Sequence, residues 1–279
     1  MSTHSLTRIA TNLSAMQALN SLTSINNKLS IHQNRIATGN RINSAEEDAA
    51  GWVIGKTLEA RTRGIGVGLN NVGDAKNVLS IAEGGLSDIL DVLMTMKEKA
   101  TQAASDTLGS SEREAIENQL DDLAAEVDAI VSRTEFNTLN LINGTYLNKS
   151  IQVGAETTDT MTVSITRDHR ATALHVSDSD LAVDTAANSS TALASVNTAI
   201  GYVNSSIRAI GSLQARLSVT ESSLSQISVN TQSARSRIMD ADLASEQMEA
   251  VKLQILQQTA TSALAQANSS PQAILSLFQ

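Results

Sequence analysis

The chain has no cysteine, one proline and five aromatic residues, Trp52, Phe136, Tyr146, Tyr202 and Phe278. Without cysteine there is no disulfide, no thiol nucleophile and no thiolate metal site. About 14 prolines would be ordinary at this length. Few breakers and few rings suit long helices packed by Leu, Ile, Val and Ala better than a deep catalytic core. Charge is missing in two places. Residues 1–45 hold no acid, only Arg8, Lys28, Arg35 and Arg41, and residues 253–279 hold no charged side chain. Yet the net charge is −9, so nearly all solvating charge lies between 46 and 252. The eight large apolar side chains of the tail cannot by themselves offset the cost of ordering its backbone. The ends are expected to order on each other and on neighbouring copies.

Other absences narrow the function. No run of 18 or more apolar residues occurs, so no membrane-inserting helix is expected. No basic stretch followed by an apolar core opens the chain, so no Sec-type leader is expected. An acidic balance without a basic cluster argues against nucleic acid. The histidines, His4, His32, His169 and His175, form no pair at ligand spacing, and solvated loop histidine is the favoured reading for the last two. Gly64, Gly66 and Gly68 lack Rossmann spacing. Glu114, Glu117 and Asp121 share a helix face that reads as solvated acid rather than a cation site. No G-x-S-x-G occurs. No catalytic, cofactor or metal constellation emerges, and the reading is not an enzyme.

What is present is helical periodicity. Leu6, Ile9, Leu13 and Met16, then Leu22, Ile25, Leu29 and Ile36, make apolar stripes over 5–36, with Gly39 as a stop. Ser44 and Glu47, and again Ser111 and Glu114, have capping-box spacing. The glycines of 64–73 weaken a helix there by roughly 1 kcal/mol each, so packing must hold it. Positions 75, 79, 82, 86, 89, 93, 96, 100 and 103 are all apolar in a 4-3 alternation, a sustained heptad seam. A second seam runs through Ile116, Leu120, Leu123, Val127 and Ile130. Residues 135–166 turn to Thr, Val, Ile and Asn and predict short strands, with Asn143-Gly144 as a turn. Residues 167–192 have no period and read as polar loop. Helical period returns from 193, with an apparent slip between Leu217 and Leu224. The fold class is mainly α: a long antiparallel helical bundle or coiled coil, a small β-hairpin insert, and paired N- and C-terminal helices.

Several motifs are specific. RIATGNRINSAEEDAAG (35–51) resembles the N-terminal signature of bacterial flagellin; SARSRIMDADLASE (233–246) and QILQQTATSALAQANSSPQAILSLF (254–278) resemble its C-terminal core. Phe136-Asn137 and Ile151-Gln152-Val153-Gly154 resemble its hairpin region. The resemblance covers about 1–166 and 193–279. It implies a subunit that polymerises into the flagellar filament for motility. It also implies unfolded export by the flagellar type III apparatus, and an export chaperone, a filament cap and hook-associated proteins as partners. The location implied is the extracellular filament.

By the same resemblance 1–44 and 239–279 are the two halves of an inner domain. Residues 45–166 and 193–238 form an outer domain, and 167–192 is a shortened variable surface loop whose Ser and Thr are candidates for glycosylation. Subunit contacts are expected at Leu6, Ile9, Leu13, Met16, Leu22, Ile25, Leu29, Ile36, Leu253, Leu256, Leu264, Ile274, Leu277 and Phe278. Part of each stripe is expected to serve an internal helix pair. A connector is expected at Arg41, Asn43, Ser44, Asp48, Arg235 and Arg237. Met94-Thr95-Met96 stands where many relatives have Q-R-V, and Gln119 aligns with a family Glu, which implies weak activation of Toll-like receptor 5. The alternatives are a hook–filament junction protein and a coiled-coil adaptor.

Overall fold

A computed structural model describes residues 11–275, with side chains to 269. Leu6, Ile9, Leu277 and Phe278 lie outside the described residues, as does the side chain of Ile274. In chain order the elements are α1 (Leu13–Thr38), α2 (Ala49–Ala103), α3 (Ser110–Arg133), β1 (Glu135–Phe136), β2 (Leu139–Asn140), β3 (Lys149–Gln152), β4 (Thr160–Val163), α4 (Ala171–Leu174), a 3-10 turn (Asp178–Asp180), α5 (Ala186–Met239) and α6 (Leu243–Leu275). They divide into two units. Unit 1 takes the chain up to Ala60 and from Asn230 onward; unit 2 is Arg61–Val229.

Unit 2 is built on the heptad seam. Every predicted position from Ala75 to Ala103 is buried, and Leu79, Leu86, Ile89, Leu93 and Met96 are wholly so. Each such Leu, Ile or Met stabilises by ~1.5–3 kcal/mol. The α3 seam joins the same core through Ile116, Leu120, Val127 and Ile130, while Leu123 is only partly buried and Ala124 faces inward. On α5 the buried residues Val203, Ile210, Leu217 and Leu224 fall seven apart. The apparent slip is therefore an unbroken heptad whose alternate seam positions are polar. Gln214 Nε2 donates to Glu83 Oε2 at 2.8 Å and Lys76 Nζ to Glu221 Oε2 at 2.8 Å, which also makes α2 and α5 antiparallel here.

The glycine-rich stretch stays helical because unit 2 packs it. A Cβ at Gly68 would lie 2.7 Å from the Val153 carbonyl oxygen, and one at Gly64 2.8 Å from the Ala155 methyl. Only a bare backbone lets α2 approach the β3–β4 connection so closely. β3 and β4 pair antiparallel with Lys149 opposite Val163 and Gln152 opposite Thr160. β4 alternates as a half-buried strand, with Met161 and Val163 inward. β1 and β2 form a tight hairpin turning at Asn137 and Thr138, both at positive φ. Asn143-Gly144 is a turn in its own right, with Asn143 Oδ1 accepting from Thr145 N–H at 3.1 Å.

Three local expectations are corrected. Ser44 does not open α2: residues 44–47 form a turn, and Asp48 Oδ1 accepts from Gly51 N–H at 2.9 Å. Glu47 instead reaches back to Asn43 N–H at 3.1 Å. Ser111 does not cap α3, whose N-cap is Gly109 with no side-chain bond. The buried Arg113 closes the end of α2 instead, donating to the Ala103 and Ser105 carbonyls at 2.6 and 2.8 Å. Finally, residues 167–192 are not simply polar loop. They contain α4 and the start of α5, and they bury His169, Leu174, Val176, Leu181 and Val183. His175 is exposed, as expected; His169 is fully buried, against expectation.

Candidate assembly surface

Unit 1 pairs α1 with α6. Asn12 caps α1 by accepting from Ala15 N–H at 3.0 Å, and its amide donates to Ala267 O at 2.7 Å. Gln257 Nε2 donates to Asn26 Oδ1 at 2.8 Å. His32 Nδ1 bonds Glu246 Oε2, and Arg35 reaches the other Glu246 oxygen at 3.5 Å and Glu47 at 3.9 Å. As residue numbers rise along α1 the partners on α6 fall, so the helices run antiparallel. Asp242 Oδ1 caps α6, accepting from Ala244 and Ser245 N–H at 3.0 and 3.3 Å.

The apolar core under these bonds is thin. Leu29, Ala250 and Leu253 are buried, with Ile25 and Ile36 packed beside them. Both Leu29 and Leu253 thus serve an internal pair, while Leu22 and Leu264 are half-buried. Leu13, Met16 and Leu256 are exposed. So are several residues that the stripes leave out: Leu19, Ile31, Leu243, Met248, Val251 and Ile255, with Met248 68% exposed. The uncharged composition of the tail signals Ile255, since any large apolar residue there lacks charged neighbours. Nothing local marks Leu243 or Met248, which sit among acids.

The residues expected to form a connector stand where the chain leaves and re-enters the helix pair. Gly39 ends α1 at φ 72°, its N–H donating to Arg35 O at 2.8 Å. Asn40 and Asp240 then make a β-bridge, with Arg41 N–H on Met239 O at 2.6 Å and Ala241 N–H on Gly39 O at 2.9 Å. Arg41 Nη2 adds a bond to Ile238 O at 2.8 Å, placing a cation at the C-terminal end of α5. Asn43 Nδ2 donates to Asn40 O at 3.1 Å. Of the remaining expected connector residues, Asp48 caps α2, Ser44 contributes its carbonyl to the 44–47 turn, Arg237 is exposed, and Arg235 has a buried Nε without a partner. Among the described residues no three His, Asp or Glu lie close enough to hold a metal, and no helix is long and apolar enough to cross a membrane.

Residues 9–146 match the family model for the bacterial flagellin N-terminal helical region, and residues 193–278 that for the bacterial flagellin C-terminal helical region. The flagellin of Bacillus subtilis is 32% identical over 98% of this chain and 100% of its own length. This chain belongs to the bacterial flagellin family. The flagellin of Halalkalibacterium halodurans is 31% identical, covering 88% of this chain and 90% of that protein. The structure of a putative flagellar hook-associated protein from Vibrio parahaemolyticus superposes with a TM-score of 0.58 at 14% identity, over 70% of this chain and 100% of that one; it shares the fold. This flagellin is a structural subunit of the flagellar filament and serves motility; the family is not enzymatic. The expected fold class holds: among the described residues helices dominate, with two small antiparallel strand pairs.

Proposed function

We propose that unit 1 is the polymerising core of the subunit and unit 2 its separately packed part, with 1–44 and 239–279 as the two halves of that core. The observation that carries this is the apolar side chains left uncovered on α1 and α6, of which Met16, Leu19, Met248 and Ile255 are each more than half exposed. Large apolar groups gathered this densely on two paired helices mark a contact surface. The outer stripe, Leu13, Met16 and Leu256 together with Leu19, Met248 and Val251, meets neighbouring copies; Leu29 and Leu253 hold the pair together beneath it. Leu6, Ile9, Ile274, Leu277 and Phe278 are assigned to subunit contacts by sequence alone. The Gly39–Arg41 and Met239–Ala241 crossing fixes how the chain enters the pair, with Arg41, Asn43 and Asp48 as its anchors and Arg235 and Arg237 beside it. Family membership supports unfolded export with an export chaperone, and an extracellular filament with a cap and hook-associated proteins as partners. Within Met94-Thr95-Met96, Met96 is fully buried while Met94 and Thr95 are exposed, so a threonine hydroxyl, donating to the Asp91 carbonyl at 3.1 Å, stands where many relatives have a guanidinium.

Seeding purified monomer onto filament fragments tests the assignment. Wild type grows into long filaments; Met248→Lys combined with Val251→Lys stays monomeric with unchanged helical circular dichroism. Filament growth by the double variant at the wild-type rate removes the assignment. Growth that stops at a capped end indicates a junction protein, and discrete oligomers indicate an adaptor.

A further inference from the structure

His169 stands where three parts of unit 2 meet. Its backbone N–H and its ring Nδ1 both reach the Ile142 carbonyl, at 3.1 and 3.0 Å. Its Nε2 lies 2.8 Å from Ser206 Oγ on α5. The residue is fully buried. A carbonyl only accepts, so Nδ1 carries the hydrogen and the neutral ring's Nε2 accepts from the serine hydroxyl. Beyond it the chain buries Leu174, Val176, Leu181 and Val183. His169 is thus a polar fastening of a segment held as well by these four apolar side chains and by the bond from Ala171 N–H to Asp128.

A second proton would place a cation where water has been excluded. Burial, and then Arg167, push the His169 pKa down, while the Ile142 carbonyl and Asp168 act the other way. Asp168 is already engaged, bonded to Arg170 Nη2 at 2.6 Å. The charged and titratable groups around the ring are few. Its own segment supplies Arg167, Asp168 and Arg170; α3 supplies Asp128, which accepts from Ala171 N–H at 2.8 Å. α5 carries Tyr202, covered by Arg167 at 4.0 Å, and the exposed Arg208, and the 141–146 loop carries Tyr146. None offers the ring a free carboxylate.

We propose that His169 is an acid-sensitive latch: neutral, it ties Ile142 and residues 165–183 to α5, and mild acid releases that segment while the α2 seam stays closed. The released chain takes up a proton that the closed one rejects. The fastening is therefore complete above the ordinary imidazole value of 6.5 and weakens as pH falls from there towards the depressed folded value.

Hydrogen exchange of the full-length monomer at pH 7.5 and pH 5.0, corrected for intrinsic rates, reads this directly. Amides of 165–183 lose protection by up to about tenfold per pH unit below 6.5, while those of 75–103 do not change. His169→Gln, whose amide can donate to Ile142 and accept from Ser206, abolishes the pH dependence. Long-range proton–nitrogen NMR of the wild-type ring reports the Nδ1–H tautomer at pH 7.5 and serves if the variant misfolds. Unchanged protection of 165–183 at pH 5.0, an equal loss in His169→Gln, or an Nε2–H tautomer each overturns the latch.

Discussion

Unit 1 and unit 2 use the same side chains in opposite ways. Unit 2 closes a long heptad seam over itself, so that five large residues of α2 between Leu79 and Met96 have no exposure. Unit 1 buries one residue of α1, Leu29, and leaves Leu13, Met16, Leu19 and Ile31 in view. Their charge differs as sharply. Unit 1 holds eight Lys or Arg and eight Asp or Glu; unit 2 holds twelve and twenty-one and carries the whole net charge of −9. A neutral, apolar surface can pack against copies of itself without long-range repulsion. An acidic, internally closed unit keeps the same chain dispersed in water. On the proposed assignment, the division lets one subunit carry its solvating charge in one unit and its polymerising surface in the other.

The chain supplies probes for this contrast, since Trp52 lies in unit 1 and both tyrosines, Tyr146 and Tyr202, in unit 2. The largest effect is expected from deleting residues 253–279. Seeded polymerisation is lost, while the tyrosine-monitored melt of unit 2 is unchanged; loss of most helical circular dichroism would collapse the distinction between the units. Next come two matched substitutions. Leu86→Ala costs unit 2 towards the upper part of ~2–5 kcal/mol, because nothing around a fully buried seam residue can collapse; Leu29→Ala falls towards the lower part. Equal losses in urea melts would mean that the helix pair is as well packed as the seam. Asp48→Ala removes the cap of α2 and costs ~0.5–2 kcal/mol, visible as a lower transition by tryptophan fluorescence.

The smallest effect concerns Asp121. Burial, and then Asp178, Glu117 and Asp122, hold its carboxyl above the ordinary value, and its Oδ1 is buried without a partner. A raised folded pKa contributes stability below the unfolded value of 3.8 that is lost as pH rises through the folded one. Asp121→Asn removes that loss and lifts the neutral-pH melting of unit 2 by about 1–3 °C. A lower melting temperature would show that the carboxylate is better satisfied than its neighbours suggest.

How far the sequence could be read depended on the range of each signal. The 75–103 seam is periodic over eight turns and could be followed residue by residue. The α5 seam was harder, because Gln214 and Glu221 occupy alternate seam positions and their justification, Glu83 and Lys76, lies more than a hundred residues away. Residues 167–192 hid their buried set because Leu174 with Val176, and Leu181 with Val183, are pairs too short to establish a period. His169 offered no local sign at all, since its partners Ile142 and Ser206 are distant in sequence. The first capping box failed for a more ordinary reason: Asp48 is as good a cap as Ser44, and it stands directly before Ala49-Ala50, where helix propensity is highest. In unit 1, composition raised the expectation that the tail needs cover, and the α1–α6 pairing shows which residues it covers by itself.

The bonds that fasten α1 to α6 join residues more than two hundred positions apart. A chain that emerges from a pore one end first therefore leaves its opening helix single until the last one has followed. Any product broken off before residue 243 offers α1 nothing to lie against. On the proposed assignment of unit 1 the arrangement would serve as a proofreader of length, since the paired surface forms only in molecules that extend through α6.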